Sequence, residues 1–382
     1  ISALTLLGIA TIIGFYFGFG ARKIKLPSLI GYMILGVILG PSVTNLFTEP
    51  TMHHLEFITH IALGFVAFSI GSELSLASLK RLGPGIVSII LSESFCAFIF
   101  VTSAVYLFSH NISLALVFGA MAPASAPAGT VAVIQEYKAK GSLTKALYAV
   151  VGFDDGLAIL IFGFAAALAK TLLISKATGN HESMWASLIV PAREILLSLI
   201  IGAVIGFIFC QIVRKMQHTQ DIIIVVFGTI LIAAGLSIRW HLSPILTNMV
   251  IGFVLVNTRR EALVGKIMAP IMDLMPLVFI LFFCLAGAHL KLAALPALGA
   301  LGIVYIIART LGLIAGARVG SMIGHVEDKI KKYIGLGILS QAGVAIGLAL
   351  IVKSEFDALG TKYDIPQAFS IGTDVLTTVT AT

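Results

Sequence analysis

The chain has 382 residues, of which 58% are hydrophobic and 11% charged, against about 25% charged in an ordinary soluble domain. That composition excludes a soluble enzyme, a disordered protein and a secreted disulfide scaffold, and its unbroken apolar runs exclude a transmembrane barrel, whose strands alternate. The formal net charge of +7 fits basic loops at a membrane surface better than a nucleic-acid partner.

In chain order the apolar runs predict thirteen transmembrane helices, over 2–20, 27–40, 54–70, 84–108, 113–136, 145–170, 187–213, 220–238, 243–257, 268–288, 295–322, 330–352 and 366–382. The second and ninth are short enough to call for tilt or a thinned bilayer. Cys96, Cys210 and Cys284 lie in apolar stretches without CxxC spacing and read as small core residues. With the N-terminus outside and the C-terminus cytoplasmic, sixteen of the 25 Lys and Arg residues fall in inner loops and six in outer ones. This is the bias that positive-inside insertion requires. Thirteen spans divide as six, one and six, and the odd helix 187–213 makes the second half enter the membrane in the opposite sense. The predicted fold is an all-α polytopic membrane protein with two six-helix inverted-topology repeats around a linker helix.

Charges at mid-span are expensive and read as functional. Helix four carries Glu93 in LSESFCAFIF, helix six carries Asp154 and Asp155 in VVGFDDGLAILIFGF, and helix eleven carries Arg309 in VYIIARTLGLIAG. At 1.5 Å per residue all four fall near one depth. Glu93 and Arg309 can cancel as an intramembrane ion pair. Three acids against one base still leave negative charge that protons or a bound cation must neutralise. Adjacent aspartates point about 100° apart, so one can face a cation path while the other faces a neighbouring helix, and the two titrate as a coupled unit. Arg193 and Glu194 read as a local pair near the outer end of helix seven, and Asp374 on helix thirteen has no evident role.

Helix five contains GAMAPASAPAGTVAV, with Pro123, Pro127 and Gly129 at mid-span and the hydroxyls of Ser125 and Thr130 beside them. Proline removes backbone donors and frees carbonyls, which persist at that depth only inside protein or along a cavity. Helix twelve contains GLGILSQAGVAIG, with Ser340, Gln341 and Gly343 among its glycines. Breaks at corresponding positions of two halves point to a transporter's binding site; close packing through small residues is the other reading. An intramembrane aspartyl protease needs its aspartates on different helices, and a passive channel does not need buried titratable pairs. No nucleotide-binding or HExxH pattern appears, so no cofactor is expected beyond a transported cation and protons.

GFDDGLAI, the double-proline break before it and the mid-helix Glu93 resemble the monovalent cation/proton antiporter superfamily, and within it the cation/proton antiporter-2 type. The resemblance covers nearly the whole chain. It implies a homodimer in a bilayer, with residues 1–83 and 220–288 as the dimer or scaffold domain, 84–170 and 295–382 as the transport core, and 187–213 as the linker. It implies crossed broken helices five and twelve, and elevator-type alternating access in which cation and proton compete at Asp155, with Asp154 its partner and Ser125 or Thr130 completing the cation shell. Sodium or lithium exchange is the first implication. A potassium/proton antiporter or potassium-efflux protein is the second, and that branch often carries a cytoplasmic nucleotide-binding regulatory domain after the last helix. Many electrogenic members have a lysine where Arg309 stands; arginine holds its proton, so Arg309 is not read as a proton carrier. The expected location is a bacterial inner membrane.

Overall fold

The computed structural model describes residues 3–24, 26, 28–125, 130, 134, 139–178, 184–216, 218–240, 242–290, 292, 295–341 and 343–381. Among these residues the secondary structure is helical: α1 (Ala3–Lys23), α2 (Ser28–Leu39), α3 (Glu49–His54), α4 (Glu56–Glu73), α5 (Leu76–Ser109), α6 (Ile112–Met121), α7 (Ser142–Thr178), α8 (Met184–Val213), α9 (Thr219–Arg239), α10 (Pro244–Thr258), α11 (Glu261–Ala288), α12 (Leu295–Ile323), α13 (Asp328–Gly337), α14 (Gly343–Tyr363) and α15 (Pro366–Ala381). Eight of the described helices are long and apolar enough to cross a bilayer, and α2, α6 and α10 are shorter apolar helices. Residues such as Leu4, Leu107, Ile224 and Phe207 stand exposed, as lipid-facing positions do. The chain is a multi-pass membrane protein.

Local chemistry sets the ends. Ser75 accepts from the Ser78 amide at the start of α5, Asn111 from Leu114 at the start of α6, and Ser243 from Leu246 at the start of α10, where Pro244 occupies the first turn. Each side chain takes up an amide that the first turn leaves without a partner. The α4–α5 elbow is clamped from α10: Asn257 donates to Leu74 O at 3.0 Å and accepts from the Leu76 amide at 2.7 Å.

Several boundaries differ from the sequence reading, among them the end of the predicted helix 145–170, which runs on to Thr178. The predicted helix 84–108 starts earlier, at Leu76, and bends at Gly83, whose φ of 81° and ψ of 165° precede Pro84. Glycine tolerates that φ, and proline closes off regular hydrogen bonding across it. The predicted helix 268–288 begins at Glu261 and runs through Pro270 and Pro276. The predicted helix 330–352 is two helices, the second reaching Tyr363. It carries charges at 353–357 past the predicted end, where Lys353 and Asp357 pair within the helix and Glu355 pairs with Lys170 of α7.

The most extensive packing joins α5 to α12. Gly312, Gly316 and Gly320 recur every fourth residue along one face of α12, Gly324 continues the spacing just past its end, and α5 lies directly on all four. A Cβ at Gly316 would stand 2.5 Å from Ser92 O and 2.6 Å from Glu93 Cα; one at Gly320 would stand 2.5 Å from Ser88 O. Backbones approach this closely only where side chains are absent. α2 packs on α11, and α4 on α10, across similar glycine contacts. α6 packs on α5 and α7, α13 on α12, and α14 on α15.

Candidate cation site at the helix breaks

The site grows from two interrupted helices. α6 stops at Met121, just ahead of Pro123. α13 stops at Gly337, and α14 resumes at Gly343. Pro127 and Gly129 lie outside the described residues. Each break leaves carbonyls at a helix C-terminus, where the dipole is negative.

Arg309 serves both ends. Its Nε donates to Ala122 O at 2.9 Å, its Nη2 to Ala124 O at 2.9 Å, and its Nη1 to Leu339 O at 2.6 Å. Gln341 Nε2 donates to Met121 O at 3.0 Å and meets the buried Tyr305 hydroxyl at 2.9 Å. Thr130 Oγ1 donates to Gly337 O at 2.9 Å and lies 3.4 Å from Ser340 Oγ. The two breaks are thus bound to each other by one guanidinium, one amide and one hydroxyl. An unpartnered buried polar group costs about 1–3 kcal/mol, so these contacts are what permit open backbone at this depth.

This corrects one expectation. Among the described residues no salt bridge joins Glu93 to Arg309, because the guanidinium is occupied by three carbonyls. Glu93 is fully buried on α5, with Oε1 accepting from Ser94 Oγ at 2.9 Å and Oε2 without a partner.

The aspartates sit on α7 beside the first break. Asp154 is 0% and Asp155 5% exposed. Asp155 Oδ1 accepts the Ser125 amide at 3.2 Å, and the Asp155 amide donates to Asp154 Oδ1 at 2.8 Å. Asp154 Oδ2 and Ser125 Oγ are buried without hydrogen-bond partners among the described residues, although Ser125 stands near Asp154. Glu93, Asp154, Asp155 and Arg309 are within electrostatic reach of one another. The site therefore holds three buried carboxyl groups and one guanidinium already engaged elsewhere. Oxygens such as Asp154 Oδ2 and Glu93 Oε2 can each take a proton or contribute to a dehydrated monovalent cation.

Ser125, Asp154 and Asp155 come together at this site. Thr130, Ser340 and Gln341 instead bridge the two breaks, and Gly343 is the first residue of α14. Sequence reasoning missed Tyr305, one turn before Arg309 on α12 and buried against Phe118. It also missed Glu73, exposed at the end of α4 within electrostatic reach of Asp155. The i, i+4 spacing of Tyr305 and Arg309 was a signal available in the sequence; nothing local marked Glu73.

The profile of the transmembrane sodium/hydrogen exchanger family matches residues 7–381. The chain belongs to that family. That family is one of cation/proton antiporters, which are secondary transporters of ions. The chain is 21% identical over 371 residues to the ammonium/proton antiporter subunit AmhT of Alkalihalophilus pseudofirmus, covering 94% of this chain and 89% of that one. It is 22% identical to the potassium/proton antiporter subunit KhtU of Bacillus subtilis, covering 92% and 87%. Its fold matches the sodium/proton antiporter MjNhaP1 of Methanocaldococcus jannaschii with a TM-score of 0.75 at 20% identity, over 98% of this chain and 93% of that one.

Proposed function

We propose that this antiporter exchanges one monovalent cation species for protons at Asp154 and Asp155, the two competing for the same carboxylates. The observation that carries this is the engagement of Arg309 by carbonyls, which leaves the buried carboxyl groups without a direct ionic partner among the described residues. Such groups reach neutrality by binding protons or a cation, and a site open to both is an exchanger. Asp155 is the main carrier, Asp154 its partner, and Ser125 a ligand; Thr130 holds the crossing.

The packing supports a two-fold relation between halves. With α8 as the linker, α2 on α11 mirrors α10 on α4, α6 on α7 mirrors α14 on α15, and α5 on α12 maps onto itself. An inverted repeat of thirteen spans has this pairing pattern. In this reading α1–α4 and α9–α11 are the scaffold through which two copies associate in a bacterial inner membrane, with the N-terminus outside. α5–α7 and α12–α15 are the core that slides against it.

Sodium or lithium is the first cation. Potassium or ammonium is the second reading, favoured by AmhT and KhtU matching nearly the whole chain. In proteoliposomes with an outward proton gradient, adding the right cation outside should raise internal pH, and Asp155→Asn should abolish the response. Sodium, lithium, potassium, rubidium and ammonium tested in turn name the substrate. Folded parent protein that moves protons with none of them would sink the proposal.

A further inference from the structure

We propose that Lys170 is a clasp that holds shut the passage between the aspartates and the end of the bundle where α7 finishes. The inference rests on the exchange reading above. Lys170 Nζ lies 3.0 Å from Glu355 Oε2 on α14 and 3.7 Å from Glu194 Oε1 on α8, with the three side chains 18–31% exposed. One ammonium thus joins three helices and faces two carboxylates. Glu194 has its partner on α7, not in the adjacent Arg193 that the sequence suggested.

Beside the clasp is a cavity of about 30 Å³ lined by His60, Leu63, Phe162, Ser243, Ile351 and Glu355. That is room for one or two waters. α4 and α10 form one wall, and α7 and α14 the other. The surrounding contacts are tight: a Cβ at Gly163 would stand 2.7 Å from Leu246 Cδ1, and one at Gly347 2.8 Å from Leu63 Cδ2. Phe162 lies two turns, about 10 Å, along α7 from Asp155. A small, narrow space on the face of α7 that carries Asp155, bounded by both walls, is what a passage leaves when its walls have met.

The clasp acts on that closure asymmetrically. Lys170–Glu355 joins two helices of the core, so it survives core movement. Lys170–Glu194 joins the core to the linker helix, so it breaks when the passage opens. Lys353 and Asp357 pair with each other on α14 and leave the Lys170 cluster to itself.

The test is the reactivity of a cysteine lining the cavity. Ile351→Cys, and Leu63→Cys on the opposite wall, would be made with Cys96, Cys210 and Cys284 replaced by alanine. Each would be labelled by a water-soluble maleimide in detergent, where membrane orientation does not matter. The parent should label slowly. Lys170→Met and Glu194→Gln should each raise the rate about fivefold, equivalent to ~1 kcal/mol of ion pairing. Lys170→Arg should restore slow labelling, and molar salt should speed the parent but not Lys170→Met. Unchanged rates at both cysteines in variants that elute and melt as the parent does would overturn the clasp. Labelling needs no transport, so failure of the exchange assay would leave this result standing on its own.

Discussion

At the scale of single residues, Arg309 decides the character of the site. A guanidinium presents several donors in a fixed fork, which is why one side chain reaches Ala122, Ala124 and Leu339 together. Lysine keeps the charge but not the fork. Arg309→Lys should leave two of these carbonyls without a donor, at about 1–3 kcal/mol each. It should melt several degrees below the parent in detergent and exchange cations slowly. A melting temperature equal to the parent's would refute this account of the crossing. The chemistry of the site residues was legible in the sequence, because a charge at mid-span stands out from its neighbours. Their partners were not. Glu93 and Arg309 invited pairing by sign alone, and only the fold reveals that helix ends compete for the guanidinium.

At the scale of helices, the glycine row of α12 sets how near Glu93 comes to the crossing. Alanine at Gly316 would press on Ser92 O and Glu93 Cα, and backbone cannot step aside as a side chain can. Gly316→Ala should cost about 1–3 kcal/mol and impair exchange by moving Glu93. Gly8→Ala, where a Cβ meets nothing within 4 Å, should leave both stability and exchange near the parent's. Thermal melts of the two variants decide between packing and helix propensity as the role of these glycines. The four-residue spacing is plain in RTLGLIAGARVGSMIG, yet the partner it fits cannot be read from one helix. Proline likewise announced the break after α6. The end of α14 was hidden because its charges find partners, Lys353 and Asp357 in each other and Glu355 in Lys170 of the distant α7.

At the scale of the whole molecule, hydropathy alone reported a multi-pass membrane protein, since lipid imposes long apolar runs that no later packing can alter. Which helices meet was not legible, because every face of a buried membrane helix is apolar and periodicity loses its direction. α5 packs along α12, and in the proposed reading the crossing and its carboxylates form one body. If cation and proton share that body's carboxylates, each weakens the other's binding by the same factor. Raising the cation concentration should therefore shift the acidic limb of the pH–rate profile to lower pH. A limb that stays fixed as the cation is varied would indicate separate sites.

The tethering of Arg309 to peptide carbonyls has an electrical consequence. Its positive charge stays constant through a transport cycle, so the loaded and empty carriers differ only in what the carboxylates hold. One proton traded for one cation then leaves the membrane potential without leverage. Two protons traded for one cation move a net charge, and each 100 mV contributes about 2.3 kcal/mol to the cycle. The current through a supported membrane holding this protein would count the protons exchanged for each cation.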